Sequence, residues 1–431
     1  MSETRTIRPA RRLVGEAKVG GDKSISHRAV LLAGFAQGTT RIVNLSTSLD
    51  VASSLRCLRA LGVAMEQTSA TELVIRGRAG RFAPPARTLD CGNSGTTMRL
   101  LSGLLAGQPF TSRLDGDDSL RRRPMRRILV PLERMGATVG ARDGNFPPIV
   151  ITGTRPLRPI THRPEVASAQ VKSCVLLAGL QADGQTTVSE VRQTRDHTER
   201  MLPIFGISIR KESLSVCVQG PSVPLSPGLL QVPGDPSSAA FLWAAAAALP
   251  GSQVTVRDVG INPTRAVILD VLRSMRVDVR VENVRLWGGE PVADVTVRGD
   301  GRLQAIDIGE SLVPLLIDEL PILGVLCAVG SGSARLSGAA ELRTKESDRI
   351  RSVVTNLRRM GAKIEETPDG WIIEGGHALQ GAELDSFGDH RIAMAMTVAA
   401  LLASGESTIR GAECVAVSFP DFFEQIEALR A

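Results

Sequence analysis

Apolar runs of helical length recur six times along the chain, and a short polar or charged cluster opens each of them. Each run ends at Gly or another small residue and leads into a strand-like stretch, which is the pattern of a helix followed by a strand. A helix start presents unpaired backbone N–H groups and a partial positive charge, so the openings together predict a site for a small molecule with several negative charges. They begin at Lys23, Asn93, Ser168, Asp235, Asp318 and Asp389.

The small residues that end the apolar runs also divide the chain into modules. The glycines that end the apolar runs recur about every 70 residues, which is the size of a small βα module and not of a solenoid repeat. A second, amphipathic helix type lies between the runs, as where Leu55, Leu58 and Leu61 share one face. The last of these helices, Phe422–Leu429, has no strand after it, so we expect Thr6–Val14 to supply that strand.

The modules predict an α/β (α+β) protein of two domains with three modules each. A chain of 431 residues is too long for one ordinary core. Turn residues cluster near Gly20 and near Pro233, so we place one domain at 1–20 plus 235–431 and the other at 21–234. If the three apolar helices of each domain run parallel, their starts converge, and we expect the active site in the cleft between the domains.

Composition and charge narrow the classes of partner. Hydrophobic residues make up 43% and charged residues 22% of the chain, as in ordinary globular proteins. Aromatic residues make up only 3%, with no Tyr, which argues against nucleic acid and carbohydrate because both bind on aromatic faces. The net charge of +6 favours anionic partners, although such a charge also serves solubility.

The sequence shows no signal for a metal, a membrane or export. The six cysteines form no CxxC pair and have no histidines at zinc spacing, so we expect reduced thiols, no metal and a cytoplasmic protein. Residues Met1–Arg12 lack the apolar core of a signal peptide. The longest apolar stretches are too short to span a bilayer or are broken by Pro and acidic residues, so no membrane association is expected.

Two openings near the N-terminus combine cations, hydroxyls and glycine. On a helix, Ser24 and Arg28 lie one turn apart, and with Lys23 they suit a phosphate or carboxylate. The alternative is a capped surface helix with solvated charges. Gly92–Thr97 is similar to a phosphate-cradling turn but lacks the P-loop lysine pattern, so ATP use has no support. There the alternative is Asn93 as a helix N-cap.

Charged clusters elsewhere could transfer protons or cover a ligand. A helix over Lys345–Arg349 would place Glu346 beside cations, where it would stay ionised or, once desolvated, carry a proton. The alternative is an exposed helix with surface ion pairs. Asp318–Glu319 opens an apolar helix and could cap it or act as a base. His390 stands at a helix start, where a lone His is more often structural. Arg121–Arg123 is either a solvated loop or one that closes over a ligand.

Taken in order, these segments resemble the signatures of the 5-enolpyruvylshikimate-3-phosphate synthase (3-phosphoshikimate 1-carboxyvinyltransferase) family over the whole chain. The resemblance implies the two-domain enolpyruvyl transferase fold, in which each domain has three βαβαββ modules around parallel buried helices, an inside-out α/β barrel. It implies transfer of the enolpyruvyl group of phosphoenolpyruvate to the 5-hydroxyl of 3-phosphoshikimate, on the pathway to chorismate and the aromatic amino acids. The reaction is addition and then elimination of phosphate, with neither a metal nor an organic cofactor. The matching segments are Gly21–Ser24, Ser26–Arg28, Gly92–Thr96, Arg123–Pro124, Lys345–Arg349, Asp389–Arg391 and Ser418–Phe422.

The resemblance implies a role for each matched residue. Asp318 would accept the 5-hydroxyl proton, and Glu346 would protonate the methylene carbon of phosphoenolpyruvate. Lys23, Lys345 and His390 would complete the catalytic set. The residues implied for 3-phosphoshikimate are Lys23, Ser24, Arg28, Ser168, Ala169, Gln170, Arg195, Asp318 and Lys345. Those implied for phosphoenolpyruvate are Lys23, Asn93, Gly95, Arg123, Gln170, Arg349 and Arg391. We expect a monomer that binds these two anions and neither nucleic acid nor membranes.

Four short motifs resemble the second, glyphosate-tolerant class of this family. Some tolerant members carry Ala where this chain has Gly95, so tolerance to glyphosate, a phosphoenolpyruvate mimic and possible inhibitor, would have to arise elsewhere. Many first-class members have a Lys where this chain has Val417, which we interpret as a class difference. The four motifs are Gly21–Ser24, Ser168–Lys172, Arg195–Glu199 and Asn262–Arg265.

Two other functions remain as alternatives. The sister enzyme that transfers enolpyruvate to UDP-N-acetylglucosamine shares the fold and the chemistry. Many of its members use a Cys in the loop before the Arg-Pro step, whereas no Cys lies between Gly107 and Pro124 here. The second alternative is a basic nucleic-acid-binding protein on related modules, against which the scarcity of aromatic residues argues.

Overall fold

The structure, a computed structural model, describes residues 3–431, in which helices alternate with short strands. The helices are α1 (Lys23–Phe35), α2 (Leu49–Ala60), α3 (Gly95–Ala106), α4 (Arg126–Arg134), α5 (Ala169–Gly179), α6 (His197–Ile204), α7 (Pro236–Ala248), α8 (Val267–Ser274), α9 (Val313–Leu316), α10 (Leu320–Val329), α11 (Arg349–Arg359), α12 (His390–Leu401) and α13 (Phe422–Leu429). The strands are β1 (Thr4–Ile7), β2 (Val14–Ala17), β3 (Thr39–Val43), β4 (Ala64–Ser69), β5 (Glu72–Arg76), β6 (Leu89–Asp90), β7 (Thr111–Asp115), β8 (Thr138–Arg142), β9 (Phe146–Thr152), β10 (Thr161–His162), β11 (Gly184–Ser189), β12 (Ile209–Glu212), β13 (Ser215–Gly220), β14 (Leu229–Gln231), β15 (Ser252–Gly260), β16 (Asp278–Trp287), β17 (Glu290–Gly299), β18 (Ser333–Leu336), β19 (Lys363–Thr367), β20 (Gly370–Glu374), β21 (Glu383–Asp385) and β22 (Ser407–Arg410). None of the helices between residues 3 and 431 has the length and apolar character that crossing a membrane requires.

The chain divides into two compact units. The inserted unit comprises Gly21–Pro233 and Leu286–Glu290, and the terminal unit comprises the chain up to Gly20, Gly234–Arg285 and Pro291–Ala431. From the sequence, Leu286–Glu290 was expected in the other domain. This segment lies at the turn between β16 and β17, and His197 Nδ1 lies 2.7 Å from the Glu290 carboxylate, which fixes the turn to the inserted unit.

The inserted unit repeats one sheet pattern. Its sheets each have four strands, in the orders β14-β3-β5-β4, β6-β7-β9-β8 and β10-β11-β13-β12. In each sheet the first pair of strands is parallel and the other pairs are antiparallel. Each module adds one buried helix, α1, α3 or α5, and one amphipathic helix, α2, α4 or α6.

The terminal unit has sheets in the orders β16-β17-β15-β2, β18-β20-β19 and β1-β22-β21. Strand β1 pairs antiparallel with β22, and β2 pairs parallel with β15. The expectation that the N-terminal segment pairs within the C-terminal half is therefore confirmed. The single strand predicted over Thr6–Val14 is instead two strands separated at Pro9, which has no N–H to donate to a sheet ladder.

The apolar helices are buried because most of their surface is apolar. Helix α7 is almost entirely buried, and its alanines allow neighbouring helices to approach closely. The carboxyl ends of α7, α10 and α12 (Ala248, Val329 and Leu401) line one surface hollow, as expected when the three helices run in the same direction. Each unit has its own continuous hydrophobic core.

The amphipathic helices end with the left-handed residue that the sequence pattern predicts. Gly occupies this position after α2, α4, α6 and α11, with positive φ in each case. After α8 the position is Arg276, which adopts φ +69° although a side chain disfavours this conformation. The shared geometry follows from the repeated module and not from the residue type.

Candidate active site

The starts of the buried helices of the inserted unit are capped by short polar side chains. Asp22 accepts a hydrogen bond from Ile25 N at 2.9 Å, Ser94 from Thr97 N at 3.1 Å, and Ser168 from Val171 N at 3.4 Å. The alternative that Asn93 caps α3 is therefore wrong, because Ser94 caps it. Capping leaves the remaining first-turn N–H groups and the positive end of each helix dipole for a ligand.

Arg123, Asn93 and Gly95 lie together at the start of α3. Arg123 is buried and donates from Nη2 to Asn93 Oδ1 at 2.6 Å, while Asn93 Nδ2 donates to Asp117 Oδ2 at 2.7 Å. A Cβ at Gly95 would lie 2.8 Å from Arg99 Nη1 and 3.5 Å from Arg123 Nη1, so the backbone here approaches two guanidinium groups closely. The basic run Arg121–Arg123 is thus not wholly a solvated loop.

Gln170 joins the starts of α5 and α3. Its Oε1 accepts from Arg99 Nη1 at 2.6 Å, and its Nε2 donates to Thr96 Oγ1 at 2.9 Å. Ser168 and Ala169, which precede it at the same helix start, are half-buried. Arg99 was not among the predicted site residues, although its position one turn after Gly95 on α3 could have indicated it.

Lys23 and Arg28, both on α1, contact different side chains of the protein. Lys23 Nζ contacts Asp50 at 2.9 Å, an acidic partner that the sequence analysis did not identify. Arg28 is buried and donates to Thr198 Oγ1, Ser173 Oγ and the carbonyl of Ser24, each at 2.8 Å.

Burial lowers the pKa of Arg28 to about 10, against the opposing charges of Glu199 and Asp22. The guanidinium remains charged at neutral pH because this value lies well above 7. Half-buried Arg195 is among the charges that lower the pKa of Arg28, so the two cations lie near each other. A guanidinium has five N–H donors, and those that Arg28 does not use for Thr198, Ser173 and Ser24 can serve a ligand.

A chain of buried side-chain hydrogen bonds connects α1, α2 and α3. His27 Nδ1 lies 2.8 Å from Ser54 Oγ, and Ser54 Oγ lies 2.8 Å from Thr97 Oγ1. Burial, with the nearby charges of Lys23 and Arg28, holds the pKa of His27 well below its usual value. His27 is therefore neutral at physiological pH and acts as a rigid link between the helices that carry Lys23 and Gly95.

In the terminal unit, Arg349 brings the predicted acid and base together. Its side chain is 1% exposed and donates to Asp389 Oδ2 at 2.8 Å and to Glu346 Oε2 at 2.7 Å. Its Nη1 lies 3.4 Å from Asp318 Oδ1. Burial alone would lower the pKa of Arg349, but the charges of Asp389, Glu346 and Asp318 raise it above its ordinary value. Asp318 and Glu346 are 20% and 18% exposed, so both remain accessible.

Arg391 holds Asp318 from a second side. Its Nε lies 3.4 Å from Asp318 Oδ1, and its Nη1 donates to the Asp318 carbonyl at 3.3 Å. Asp389 caps α12 by accepting from Arg391 N at 2.9 Å. His390, the first residue of α12, is buried with Nδ1 4.0 Å from Asp389 Oδ1.

The helix predicted over Lys345–Arg349 is wrong in its bounds. Helix α11 begins at Arg349 with Asp348 as its N-cap, and Arg343 donates to Asp348 Oδ2 at 2.7 Å. Lys345 and Glu346 precede the helix, and Lys345 Nζ contacts Glu341 at 2.9 Å. The alternative of an exposed helix with surface ion pairs is also wrong, because Arg349 is buried.

Glu319, next to Asp318, does not cap α10, since no side-chain cap bond exists at that start. The capping alternative for Asp318–Glu319 is therefore wrong, and the two carboxylates lie in different surroundings. Asp318 contacts Arg349 and Arg391, whereas Glu319 contacts Arg265 Nη1 at 2.8 Å.

The two units offer complementary chemistry. The inserted unit gathers cations, hydroxyls and helix starts, which suit anion binding. The terminal unit gathers carboxylates between guanidinium groups, which suit proton transfer beside an anion. The first set can bind phosphorylated or carboxylated molecules, and the second set can accept and donate protons.

Comparisons with known proteins match this chemistry. The sequence profile described as EPSP synthase (3-phosphoshikimate 1-carboxyvinyltransferase) matches residues 7–426. A 3-phosphoshikimate 1-carboxyvinyltransferase of Desulforamulus reducens is 48% identical, with 98% of each chain covered. Another, of Synechocystis sp., is 50% identical over 95% of this chain and 92% of its own. A solved EPSP synthase structure from Acinetobacter baumannii has a TM-score of 0.88 and 42% identity, and the match covers 100% of this chain and 98% of that chain.

Proposed function

The chain belongs to the EPSP synthase family, whose members transfer the enolpyruvyl group of phosphoenolpyruvate to the 5-hydroxyl of 3-phosphoshikimate, and from this premise we propose how its residues divide the reaction. The curated relatives are named for transfer to 3-phosphoshikimate, which favours this acceptor over UDP-N-acetylglucosamine and favours an enzyme over a nucleic-acid-binding protein. In our proposal the carboxylates of the terminal unit move protons, and the cations and hydroxyls of the inserted unit hold the anions. The observation that carries it is that one buried guanidinium, Arg349, contacts both Asp318 and Glu346.

Asp318 and Glu346 divide the addition step. Asp318 accepts the proton of the 5-hydroxyl, and the freed oxygen attacks C2 of phosphoenolpyruvate. Glu346 gives its proton to the methylene carbon, which becomes a methyl group. An added anion beside Arg349 favours the protonated form of a neighbouring carboxylate, so binding of phosphoenolpyruvate itself prepares Glu346 to donate. Lys345 contacts the shikimate hydroxyls, and His390 supports this arrangement from the start of α12.

The elimination step reverses the proton transfer at carbon. A methyl proton returns to Glu346, the double bond re-forms, and phosphate leaves from C2. Cations aimed at the departing phosphate stabilise the charge that develops on it, which is commonly the largest single contribution to such catalysis. In our proposal these cations are Lys23, Arg123, Arg349 and Arg391.

The inserted unit supplies most of the binding groups. We propose that the phosphate and hydroxyls of 3-phosphoshikimate are held by Lys23, Ser24, Arg28, Ser168, Ala169, Gln170 and Arg195. Phosphoenolpyruvate is held by Lys23, Asn93, Gly95, Arg123 and Gln170, together with Arg349 and Arg391.

The activity and the role of Asp318 are tested together. Phosphate release by the purified protein should require both phosphoenolpyruvate and 3-phosphoshikimate, and UDP-N-acetylglucosamine should not replace the latter. Asp318→Asn should lower kcat by about 10²- to 10⁴-fold, the usual contribution of a general base, with both KM values changed only a few-fold. The control is Asp307→Asn, which alters an acidic residue whose side chain accepts from Arg335 N at 2.8 Å. Wild-type kcat in Asp318→Asn would show that another group is the base.

We also propose that the chain belongs to the second class of the family, on the four motifs named above. Glyphosate should then inhibit competitively with phosphoenolpyruvate, but with an inhibition constant above the KM for that substrate. Gly95→Ala should raise the inhibition constant further, because the new methyl lies 2.8 Å from Arg99 Nη1. Gly140→Ala is the matched control, since a Cβ there meets only Val150 at 3.9 Å. Tight inhibition of the unaltered chain, with an inhibition constant below KM, would place it in the first class.

We propose, finally, that the chain acts as a monomer in the cytoplasm. Its six cysteines, all within the described residues, are free thiols, which fits a reducing compartment. Size-exclusion chromatography with light scattering should give the 45.8 kDa of one chain at micromolar concentration. A mass near twice this value would overturn the monomer.

A further inference from the structure

A buried charged network stands at the starts of α7 and α10, outside the residues assigned above. Arg265 donates from Nη2 to Asp235 Oδ1 at 2.9 Å and from Nη1 to Glu319 Oε1 at 2.8 Å. Ser237 Oγ contacts both Arg265 and Glu319. All four side chains are buried. Burying charges costs free energy that well-packed apolar side chains would not, so stability alone does not explain this network.

A rigid turn presents Arg265 to these partners. The Asn262 side chain accepts from Thr264 N at 2.8 Å and from Thr264 Oγ1 at 2.9 Å. The Asn262 carbonyl accepts from Arg265 N and from Ala266 N, both at 2.8 Å. The motif Asn262–Arg265, which the sequence analysis noted only as a class marker, therefore forms a turn whose last residue is the guanidinium of the network.

The network is attached directly to the proposed base. Glu319 follows Asp318 in the chain, and the two carboxylates contact different arginines: Glu319 contacts Arg265, and Asp318 contacts Arg349 and Arg391. No side chain caps α10, so its first turn is not fixed in the way that Asp235 fixes α7 or Asp389 fixes α12. The bond from Arg265 to Glu319 instead restrains the residue that directly follows Asp318 in the chain.

We propose that Arg265 is a positioning residue for the reaction, which by holding Glu319 fixes the Asp318 carboxylate where it meets the 5-hydroxyl. The inference rests on the proposed role of Asp318. An arginine is needed because its planar fork reaches Asp235 and Glu319 with separate N–H groups, whereas a lysine offers one point charge. A displacement of about 1 Å at a catalytic group can cost about a hundredfold in rate, so a residue that touches no substrate can still control kcat.

The test compares two arginines that each join two carboxylates in the terminal unit. Arg265→Lys keeps the charge and removes the fork, and it is the milder change for folding. Arg257→Lys is the matched control, because Arg257 joins Glu16 at 3.0 Å and Asp294 at 2.9 Å. We expect kcat per folded molecule to fall about 10- to 100-fold in Arg265→Lys, with both KM values within about threefold of the unaltered chain. Arg257→Lys should leave kcat unchanged.

A double variant distinguishes the inference from its premise. In the Asp318→Asn background, Arg265→Lys should cause no further loss of kcat, because Arg265 acts through Asp318. Full additivity of the two losses, or wild-type kcat in Arg265→Lys with Asp318→Asn inactive, would overturn the positioning role and leave the proposed function intact. Wild-type kcat in Asp318→Asn alone would overturn both. If Arg265→Lys does not fold, Glu319→Gln, which keeps the shape and weakens the same bond, must show the same split between kcat and KM.

Discussion

Each unit buries a cation among carboxylates, and the two clusters differ in their access to solvent. In the inserted unit, Lys172 contacts Glu190 at 2.9 Å and Glu199 at 2.6 Å, and the three side chains are 1%, 5% and 4% exposed. In the terminal unit, Arg349 contacts buried Asp389 together with Asp318 and Glu346, which are 20% and 18% exposed.

The comparison separates a stabilising cluster from a chemical one. The carboxylates around Lys172 are closed off, so they can neutralise the lysine and do nothing for a ligand. Two of the carboxylates around Arg349 reach solvent, so they can exchange protons with a bound substrate while the buried guanidinium holds them in place. The two clusters contain similar side chains but differ in function because their access to solvent differs.

The largest expected effect is on catalysis at the cluster around Arg349, which we call the open cluster because two of its carboxylates reach solvent. Glu346→Gln should lower kcat by about 10²- to 10⁴-fold, because the amide cannot deliver a proton to carbon. The free energy of unfolding should change by less than about 1 kcal/mol, since Glu346 is partly exposed. Steady-state kinetics and urea unfolding measure the two. The control is Glu366→Gln, another partly exposed carboxylate paired with an arginine, Arg343, at 2.9 Å. Equal losses of kcat in Glu346→Gln and Glu366→Gln would contradict a special catalytic role of the cluster around Arg349.

The cluster around Lys172, which we call the closed cluster, should affect stability and not catalysis. Lys172→Met leaves Glu190 and Glu199 buried without their cation, which should lower the free energy of unfolding by about 3–5 kcal/mol. Lys211→Met, at an exposed lysine 3.6 Å from Asp196, should cost less than about 1 kcal/mol. Urea unfolding of both variants gives the comparison. A cost below about 1 kcal/mol for Lys172→Met would mean that the buried triad does not stabilise the inserted unit.

A smaller effect follows from the neutral, buried His27. Its pKa in the folded chain lies well below the unfolded value of about 6.5, so only the unfolded chain gains the proton as the pH falls through that value. Stability is therefore full above pH about 6.5 and falls by up to about 1.4 kcal/mol per pH unit below it. Urea unfolding at pH 7 and pH 5 should show a smaller difference for His27→Gln than for the unaltered chain. His377→Gln, at a more exposed histidine, should keep the full difference. No change in the pH dependence on replacing His27 would contradict a neutral buried ring.

The smallest effect concerns helix ends, where α8 differs from the other amphipathic helices. Helices α2, α4 and α6 of the inserted unit end at a left-handed Gly, whereas α8 of the terminal unit ends at Arg276 with φ +69°. Arg276→Gly should raise the free energy of unfolding by about 0.5–1 kcal/mol, because Gly adopts this conformation without a steric cost. Arg276→Ala, which keeps a Cβ, should give no such gain. A gain in the alanine variant equal to that in the glycine variant would show that backbone strain is not the cause.

Much of the fold follows from local patterns in the sequence. The apolar runs predicted α1, α3, α5, α7, α10 and α12, because a fully buried helix needs a continuous apolar surface. Local patterns predicted the wrong helix bounds where contacts between residues distant in sequence determine the structure. Lys345 and Glu346 looked helical, yet Asp348 caps α11 after them while Arg343, Asp348 and Glu366 hold the preceding turn.

The site shows the same limit. Residues at the helix starts could be predicted because their position is fixed by the repeat. The partners Asp50 and Arg265 could not, since each meets its contact across 27 or more residues and no periodicity marks such a pair. The Asn262–Arg265 motif could be recognised in the sequence. Its proposed role depends on the contact of Arg265 with Glu319, 54 residues further along the chain, which the motif does not indicate.

The most direct test of the central claim is deuterium uptake at the methylene carbon of phosphoenolpyruvate during a single turnover in D₂O with 3-phosphoshikimate. If the open cluster around Arg349 delivers the proton, the unaltered chain and Glu366→Gln should incorporate deuterium at the same rate. Glu346→Gln should be slower by about a hundredfold or more. Uptake at the unaltered rate in Glu346→Gln would contradict the account, because the proton would then come from a group outside this cluster.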